Sequence, residues 1–343
     1  MKLKILNENQ INIAVKELKN GGVVVFPTET VFGLGANALN PKAVEKIFKV
    51  KGRPSDNPLI VHVNNIEMAN KVAFVNKTAE KLFKKFSPGP LTLILKKRSI
   101  VPNITSANLN TVAVRIPNNK IALKLIELSN LPIAAPSANL SGKPSPTKIE
   151  HIINDLGNKI NYALNGEISI GVESTVLDLT EKTPKILRYG SITYEDLMEV
   201  INLEPITVKV DNKNKNNKEK EIIKVAKSPG MKYTHYSPDT PLILATGTNE
   251  EIINKINNKI NDLNYNEICI ITTIENKNKY PNNIKKIIIG SRNNLKEISK
   301  NLYNVLREID KHNVKIALIE GFNKKGLGLA IMDKLEKASK EII

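Results

Sequence analysis

The chain has 343 residues, with 51 lysine and arginine residues against 34 acidic ones and a formal net charge of +17. Hydrophobic residues make up 41% and charged residues 25%, a balance that excludes a wholly disordered, collagen-like or membrane-embedded chain. The single cysteine, Cys269, excludes a disulfide framework and a thiolate metal cluster. We expect two domains at this length, and a cytoplasmic protein because no signal peptide or membrane-length apolar run is apparent.

The positive charge is spread along the chain. Residues 1–200 hold 26 basic and 17 acidic residues, and residues 201–343 hold 25 and 17. Six of the basic residues are arginine and 45 are lysine, and asparagine is nearly as frequent at 44. We interpret most of this charge as compositional bias at replaceable surface positions rather than as a nucleic-acid footprint. The few arginines are more informative, because the planar guanidinium suits phosphate or carboxylate.

The first 200 residues mix apolar runs with amphipathic segments. The apolar runs predict strands at 21–26, 58–63, 91–96, 111–116, 132–135, 160–164, 174–179 and 185–188. Helical periodicity predicts helices at 41–50, 78–86, 119–129, 148–156 and 193–201. This mixture predicts a twisted open mixed sheet with helices.

A polar stretch separates this region from a second one. Residues 211–220 contain no apolar residue and are typical of a flexible tether. Beyond it we predict strands at 242–245, 267–272, 286–289 and 315–319, with helices at 249–263, 294–310 and 328–342. This alternation predicts a smaller, doubly wound Rossmann-like parallel sheet. The α/β domains are therefore predicted at 1–205 and 241–343, joined by a linker at 206–240.

Charged side chains in the first region stand at positions suited to anions. The segment P-T-E-T-V-F-G-L-G at 27–35 follows a buried strand, where open sheets bind ligands. Lys51 and Arg53 follow a helix that Pro54 ends, and Arg115 lies in an apolar strand where a charge must be paired or at the edge of a site. A phosphate or carboxylate site would use these cations, but a cationic helix end and a structural ion pair would also explain them.

Two further loops are rich in proline and polar side chains. The loop P-S-A-N-L-S-G-K-P-S-P-T at 136–147 can present hydroxyl and backbone N–H groups to an anion. The segment S-P-G-M-K-Y-T-H-Y-S-P at 228–238 holds rings and a lysine that spacer linkers rarely contain, so we expect it to act as an active-site lid. The four histidines are scattered, and no H-E-x-x-H or cysteine pair occurs. We therefore predict no protein metal site.

Together these segments resemble the YrdC-like domain of threonylcarbamoyl-AMP synthases. The resemblance rests on the motifs at 27–35 and 136–142, on K-G-R-P-S-D-N-P-L at 51–59 and on S-T-V-L-D-L at 174–179. The linker and the second α/β region resemble the long, two-domain subfamily. Two departures are mild: Phe32 and Tyr189 stand where that family usually has tyrosine and proline.

The resemblance implies an activity. L-threonine, bicarbonate and ATP would give L-threonylcarbamoyl-AMP, pyrophosphate and water, through a carbamate that attacks the α-phosphate. Mg²⁺ would be carried by the triphosphate rather than by a protein site. The product would pass to the machinery that makes the t6A modification of tRNA, so direct tRNA binding is not required.

The resemblance also implies roles for individual residues. The residues expected to surround threonine are Thr30, His62, Arg115, Ser137 and Ser174, with Arg115 on the carboxylate. The residues expected to face ATP are Lys51, Arg53, Asn57, Thr111, Asn139, Thr147 and Arg188, joined from the linker by Ser228, Lys232 and His235. Lys51 and Arg53 are also expected to be the catalytic cations. For His62, the pattern alone favours a core histidine, and the resemblance assigns it to the site instead.

Two other functions remain as alternatives. One is a related carbamoyl-transfer protein, although the zinc-finger and acylphosphatase segments of that class are absent from this sequence. The other is an RNA-binding protein, because the resemblance to YrdC-like domains implies a basic concave surface, and such a surface can suit RNA. Synthesis from ATP, threonine and bicarbonate without RNA would favour the synthase over the RNA binder. No motif assigns a role to the second α/β region.

Overall fold

The computed structural model describes residues 3–203, 236–263 and 265–343. Its larger sheet has ten strands: β1 (Lys4–Leu6), β2 (Val24–Phe26), β3 (Gly33–Asn37), β4 (Ile60–His62), β5 (Leu91–Lys96), β6 (Thr111–Arg115), β7 (Ile133–Ala134), β8 (Tyr162–Leu164), β9 (Thr175–Asp178) and β10 (Lys185–Arg188). The spatial order is β1-β8-β2-β3-β7-β4-β6-β5-β9-β10. Parallel and antiparallel pairs alternate irregularly along it, which confirms the predicted mixed sheet.

Eight helices accompany this sheet in the described residues. They are α1 (Ile11–Lys19), α2 (Pro41–Lys51), α3 (Ile66–Val72), α4 (Lys77–Phe86), α5 (Asn103–Ser106), α6 (Lys120–Ser129), α7 (Ile149–Leu156) and α8 (Tyr194–Met198). Helix α2 shows why they form. The Asn40 side chain accepts hydrogen bonds from two backbone N–H groups of the first turn, Pro41 fits that turn, and Val44 and Ile47 are fully buried. Gly52 then ends the helix with φ 64°.

Within the described residues, the second sheet has five parallel strands in the order β13-β12-β14-β11-β15. The strands are β11 (Leu242–Ala245), β12 (Ile268–Thr273), β13 (Lys285–Gly290), β14 (Ile316–Glu320) and β15 (Glu341–Ile342), and the helices are α9 (Asn249–Asn261), α10 (Leu295–Ile309) and α11 (Leu327–Ala338). Helices α10 and α11 share one apolar core with the sheet, and α9 packs in a separate one. The strands are nearly continuous apolar runs because both faces are covered. The predicted doubly wound sheet is confirmed.

Several elements differ from the sequence prediction. The predicted helix at 328–342 ends at Ala338, and β15 follows it to pair with β11, a long-range contact that local periodicity does not report. Strand β3 was not predicted because its glycines have low strand propensity. A Cβ at Gly35 would lie 2.7 Å from the Phe26 ring, so the glycine permits β3 to pair closely with β2. Elements β1, α1, α3 and α5 were also missed.

The predicted boundary at 205 and most of the predicted linker, 206–240, lie outside the described residues. Within the described part of the chain, no helix is both long and apolar enough to cross a membrane.

Candidate active site

A cleft opens over the middle of the larger sheet, beside the loop at 136–147. It holds about 750 Å³ of empty space, some of it open to solvent. Its walls come from the turn after β2, the end of α2, the ends of β4 and β6, and the segments around 173 and 188. Eight of the residues selected from the sequence line this cleft: Thr30, Lys51, Arg53, His62, Arg115, Ser137, Asn139 and Arg188.

Arg115 is the buried cation on one wall of the cleft. It ends β6 and forms an ion pair with Glu29, with 2.8 Å between Nη2 and Oε2. Its Nη1 also donates to the Thr30 hydroxyl at 3.0 Å, and that hydroxyl lies 2.8 Å from the hydroxyl of Thr28. Both members of the pair are only 4% exposed, so the guanidinium is held in one orientation facing the cleft.

His62 lies beside Arg115 because β4 and β6 are parallel and place the two residues in register. Its ring packs edge-on against Phe26, with 5.8 Å between the ring centroids. Burial lowers the pKa of His62 to about 3, and the positive charge of Arg115 lowers it in the same direction. The imidazole is therefore neutral at physiological pH and offers the cleft a polar, uncharged ring.

Lys51 connects the end of α2 to the loop at 136–147. Its Nζ donates to the carbonyl oxygens of Ser137 and Asn139 at 2.5 and 2.6 Å. Burial, reinforced by the charge of Arg53, lowers the pKa of Lys51 well below its ordinary value. A phosphate beside Nζ would favour the charged form again, so this lysine is suited to an anionic ligand.

The loop itself is stiffened from within. The Ser137 hydroxyl donates to Asn139 Oδ1 at 2.5 Å, and Asn139 Nδ2 donates to the carbonyl oxygens of Leu140 and Lys143 at 2.8 Å. Asn139 is 7% exposed and lines the cleft. The prolines at 136, 144 and 146 further restrict the backbone.

Arg188 and Ser174 form a second polar cluster in the wall of the cleft. The guanidinium Nε donates to the Ser174 carbonyl oxygen, and Nη2 donates to the Ser174 hydroxyl, both at 3.0 Å. That hydroxyl lies 2.7 Å from the Thr92 hydroxyl of β5. Ser174 does not line the cleft itself, but it orients Arg188, which does.

The other selected residues lie away from the cleft or outside the described chain. Asn57 is fully buried near the end of α2, and its amide finds no hydrogen-bond partner among the described residues. Thr111 begins β6, and the backbone N–H of Thr147 donates to His151 Nδ1 at 3.2 Å. These three do not line the cleft. Ser228, Lys232 and His235 lie outside the described residues, so their assignment stays a prediction.

Sequence reasoning did not select three residues that line the cleft or support its wall. Glu29 pairs with Arg115, and Glu173 accepts a hydrogen bond from Ser145 at 2.6 Å. Tyr236, at the edge of the described region, also lines the cleft. Glu29 and Glu173 lie inside selected motifs, and the only signal available in the sequence was a carboxyl group next to hydroxyl residues, Thr28 and Thr30 for Glu29 and Ser174 for Glu173.

The arrangement is suited to binding anions rather than to covalent catalysis. Three arginines and two lysines line a single cleft together with hydroxyl and amide groups. Among the described residues, no cluster of three or more histidine, cysteine or acidic side chains could hold a metal ion. The carboxyl groups nearest the cleft already engage Arg115, Ser145 and Tyr303.

The fold and this cleft define an α/β protein that binds anionic ligands over a mixed sheet. Two family models match the chain: "Telomere recombination" at residues 16–190, and "Threonylcarbamoyl-AMP synthase, C-terminal domain" at residues 192–340. The chain is 43% identical over 348 residues to the threonylcarbamoyl-AMP synthase of Pyrococcus abyssi, covering 97% of this chain and 95% of that protein. It is 44% identical over 337 residues to the Bacillus subtilis enzyme of the same name, covering 97% and 94%.

A comparison with solved structures gives the same family as these two relatives. The crystal structure of P. abyssi Sua5 complexed with L-threonine is 43% identical, covers 99% of both chains and has a TM-score of 0.89. The chain therefore belongs to the threonylcarbamoyl-AMP synthase family, and the resemblance drawn from its motifs is confirmed.

Proposed function

We propose that this chain catalyses the formation of L-threonylcarbamoyl-AMP, pyrophosphate and water from L-threonine, bicarbonate and ATP. The observation that carries the proposal is that Lys51, Arg53, Arg115 and Arg188 converge on one cleft with hydroxyl and amide groups. A substrate set with a carboxylate, a triphosphate and a developing carbamate needs this distribution of cations.

Arg115 would bind the carboxylate of threonine. Its fork is buried and held by Glu29 and by the Thr30 hydroxyl, so its orientation is fixed before the substrate arrives. Neutral His62 would contact threonine without adding charge. Ser137 lines the cleft and would complete the proposed threonine site, whereas the predicted role of Ser174 rests on the family resemblance, since this serine orients Arg188 from behind the lining.

Lys51, Arg53 and Arg188 would face the triphosphate, with Asn139 as a polar contact that lines the cleft. Asn57, Thr111 and Thr147 stay predicted ATP contacts that rest on the family resemblance, since they do not line the cleft in this structure. The buried Lys51 supports this proposal, because an anion next to Nζ restores the charge that burial disfavours. Lys51 and Arg53 would also stabilise the negative charge on the phosphates as pyrophosphate leaves.

The proposed chemistry needs positioning rather than a covalent enzyme intermediate. The threonine amine and bicarbonate give a carbamate and water. A carbamate oxygen then attacks the α-phosphate of ATP, forming the new P–O bond while the bond to pyrophosphate breaks. Holding both substrates in one cleft makes the attack effectively intramolecular.

Mg²⁺ would enter as part of the MgATP substrate. The described residues offer no set of carboxylates for a resident ion, since those near the cleft already have partners. Phosphate oxygens and water would hold the ion, which is a common arrangement for Mg²⁺. We further propose a cytoplasmic enzyme whose product is transferred to tRNA by a separate transferase machinery.

The test is threonine-dependent pyrophosphate release by the full chain, with the adenylate product measured by mass spectrometry. We expect Lys51→Ala and Arg53→Ala to abolish this release, because each removes a proposed catalytic cation. Lys49→Ala is the matched control: it lies on the same helix but is exposed and paired with Glu45, and it should retain full activity.

Full activity in both cation variants would contradict their role toward the triphosphate. Absence of product from the unsubstituted chain, combined with tight and salt-sensitive RNA binding, would contradict the synthase and favour the RNA-binding alternative.

A further inference from the structure

Helix α10 belongs to the second sheet, but one of its faces packs against the wall of the cleft in the first. Tyr303 and Arg307 lie one turn apart on this face. Their side chains make hydrogen bonds to Glu173 and Asp155 of the first region. Neither side chain lines the cleft, so neither is placed to touch a substrate directly. Both reach the loop at 137–145, which carries Ser137 and Asn139.

Tyr303 reaches the loop through a buried carboxyl group. Its hydroxyl donates to Glu173 Oε2 at 2.6 Å, and the Ser145 hydroxyl donates to Glu173 Oε1, also at 2.6 Å. Tyr303 is fully buried and Glu173 is 5% exposed. Burial, together with the Glu173 carboxyl, raises the pKa of Tyr303 well above its ordinary value, so the phenol keeps its proton and acts as a donor.

Arg307 holds the same loop at two further points. Its Nε and Nη2 donate to the Pro144 carbonyl oxygen at 3.1 and 2.5 Å. The guanidinium also makes a bidentate pair with Asp155, at 3.0 and 2.7 Å. Asp155 Oδ2 in turn accepts a hydrogen bond from the backbone N–H of Leu140 at 3.3 Å. One arginine therefore fixes both Pro144 and, through Asp155, Leu140.

Helix α2 also holds the loop, through Lys51, which donates to the carbonyl oxygens of Ser137 and Asn139. The loop is thus bonded both to α2 and to α10. These bonds fix main-chain atoms at 137, 139, 140 and 144, and the hydroxyl of Ser145. A loop held in this way loses its conformational freedom on folding rather than on binding its ligand.

We propose that Tyr303 and Arg307 are positioning residues, which hold the 137–145 loop in the conformation that binds substrate. This inference rests on the proposed function. It gives the second α/β region a part in catalysis, because α10 sets the affinity of a cleft to which it contributes no lining side chain. If the loop is released, binding must supply the free energy that orders it around the substrates. Variants that release the loop should therefore bind the substrates more weakly.

The experiment compares Tyr303→Phe, Arg307→Gln and Arg307→Lys in the full chain. We expect the KM for ATP to rise about tenfold in Tyr303→Phe and Arg307→Gln, a change equivalent to losing one buried hydrogen bond to a charged group. Arg307→Lys should recover part of the loss, because one ammonium can reach Asp155 or Pro144 but cannot reproduce the fork. Lys300→Ala is the control on the same helix, since its exposed contact with Glu167 does not involve the loop.

A purely structural role would lower the folded fraction, which reduces apparent kcat and leaves KM unchanged. That result in both Tyr303→Phe and Arg307→Gln would overturn the proposal.

Amide hydrogen exchange of residues 140–145 in the ligand-free chain gives an independent readout. Faster exchange in the variants than in Lys300→Ala supports the positioning role, and equal exchange contradicts it. If the unsubstituted chain makes no adenylate, the proposed function fails, and the exchange comparison still decides whether α10 holds the loop.

Discussion

Arg115 and Glu29 form a buried ion pair whose two members come from distant parts of the chain. Removing water from two charges is costly, and their attraction offsets that cost only while both are present. The arrangement leaves the guanidinium oriented toward the cleft, with the Thr30 hydroxyl as a further acceptor. At the scale of single residues, the pair serves both the stability of the fold and the proposed binding of a carboxylate.

Substitution of this pair separates the two roles. We expect Arg115→Gln to lower the free energy of unfolding by about 3–5 kcal/mol, because the Glu29 carboxylate is left buried without its cation. Adding Glu29→Gln should recover most of that stability without restoring threonine-dependent synthesis. Urea unfolding and pyrophosphate release measure the two effects. Full synthesis by the double variant would contradict the proposed carboxylate contact, and an unchanged stability of Arg115→Gln would contradict the ion pair.

His62 and His151 predict a dependence of stability on pH. Burial lowers the pKa of each to about 3, with Arg115 and Arg307 as the second causes, against 6.5 for an unperturbed histidine. Between pH 6.5 and 3 the unfolded chain binds protons at these rings that the folded chain does not, so the stability contributed by the two rings falls as the pH falls through that window and is constant above it. Each ring should cost about 2 kcal/mol at pH 5 relative to pH 8.

Urea unfolding at pH 8 and pH 5 measures this change, and His62→Leu should remove roughly half of the contribution of the two rings. NMR titration of the imidazole protons gives a direct check. A midpoint above pH 5 for either ring would contradict the effect of burial. Asp333, whose pKa is lowered to about 2, adds a loss in the same direction only below about pH 4.

Helix α2 positions two of the proposed catalytic cations through the way it ends. Gly52 adopts φ 64°, in the left-handed region, and this places Lys51 on the buried side while the chain turns toward Arg53. The Arg53 guanidinium lies over the Phe48 ring of the preceding turn, 5.5 Å from its centroid. The left-handed conformation at the end of α2 therefore determines the direction of both the Lys51 and the Arg53 side chains.

Gly52→Ala isolates the contribution of that conformation. A Cβ at this position would meet no heavy atom within 4 Å, so only the left-handed backbone opposes the substitution. We expect a loss of about 1 kcal/mol in the free energy of unfolding, and a smaller loss for Gly52→Asn. Urea unfolding measures both. A loss above about 3 kcal/mol in Gly52→Ala would contradict an open helix end.

At the scale of the whole molecule, the two α/β regions meet through a very close approach of the backbone at 170–171 to helix α10. Gly171, with φ 85°, lies against α10, where a Cβ would be 2.4 Å from the Ser299 carbonyl oxygen. The Ser299 hydroxyl donates to the Ile170 carbonyl oxygen at 2.9 Å across the same contact. The N–H of Gly171 donates to the carbonyl oxygen of Thr30 in the turn after β2 at 3.1 Å. The segment at 170–171 therefore connects the wall of the cleft to α10 of the second region.

Gly171→Ala and Gly142→Ala form a matched pair that measures this contact. Gly142 has a similar φ of 92°, but a Cβ there would meet nothing within 4 Å. We expect Gly142→Ala to cost about 1 kcal/mol of unfolding free energy for backbone strain alone, and Gly171→Ala about 2–4 kcal/mol because α10 must move away. Equal losses in urea unfolding would contradict the close packing of α10 against Gly171.

Local signals in the sequence were strong enough to predict much of the site. Lys51 and Arg53 follow an amphipathic helix with a clear end, and Arg115 is conspicuous in an apolar strand. The prolines and hydroxyls at 136–147 marked a rigid polar loop. Each of these patterns spans fewer than about fifteen residues, a range over which periodicity and turn chemistry are informative.

The amino-acid sequence was enough to predict the class of the fold and the two kinds of sheet, and together with the family resemblance it identified eight of the twenty residues that line the cleft. Three features became visible only in the folded structure: Glu29 pairs with Arg115, β15 joins the second sheet, and Tyr303 reaches Ser145 through Glu173. Helix ends, strand alternation and turns are set by neighbours in the chain, whereas these contacts join groups 28 to 130 residues apart and exist only after the sheets pack.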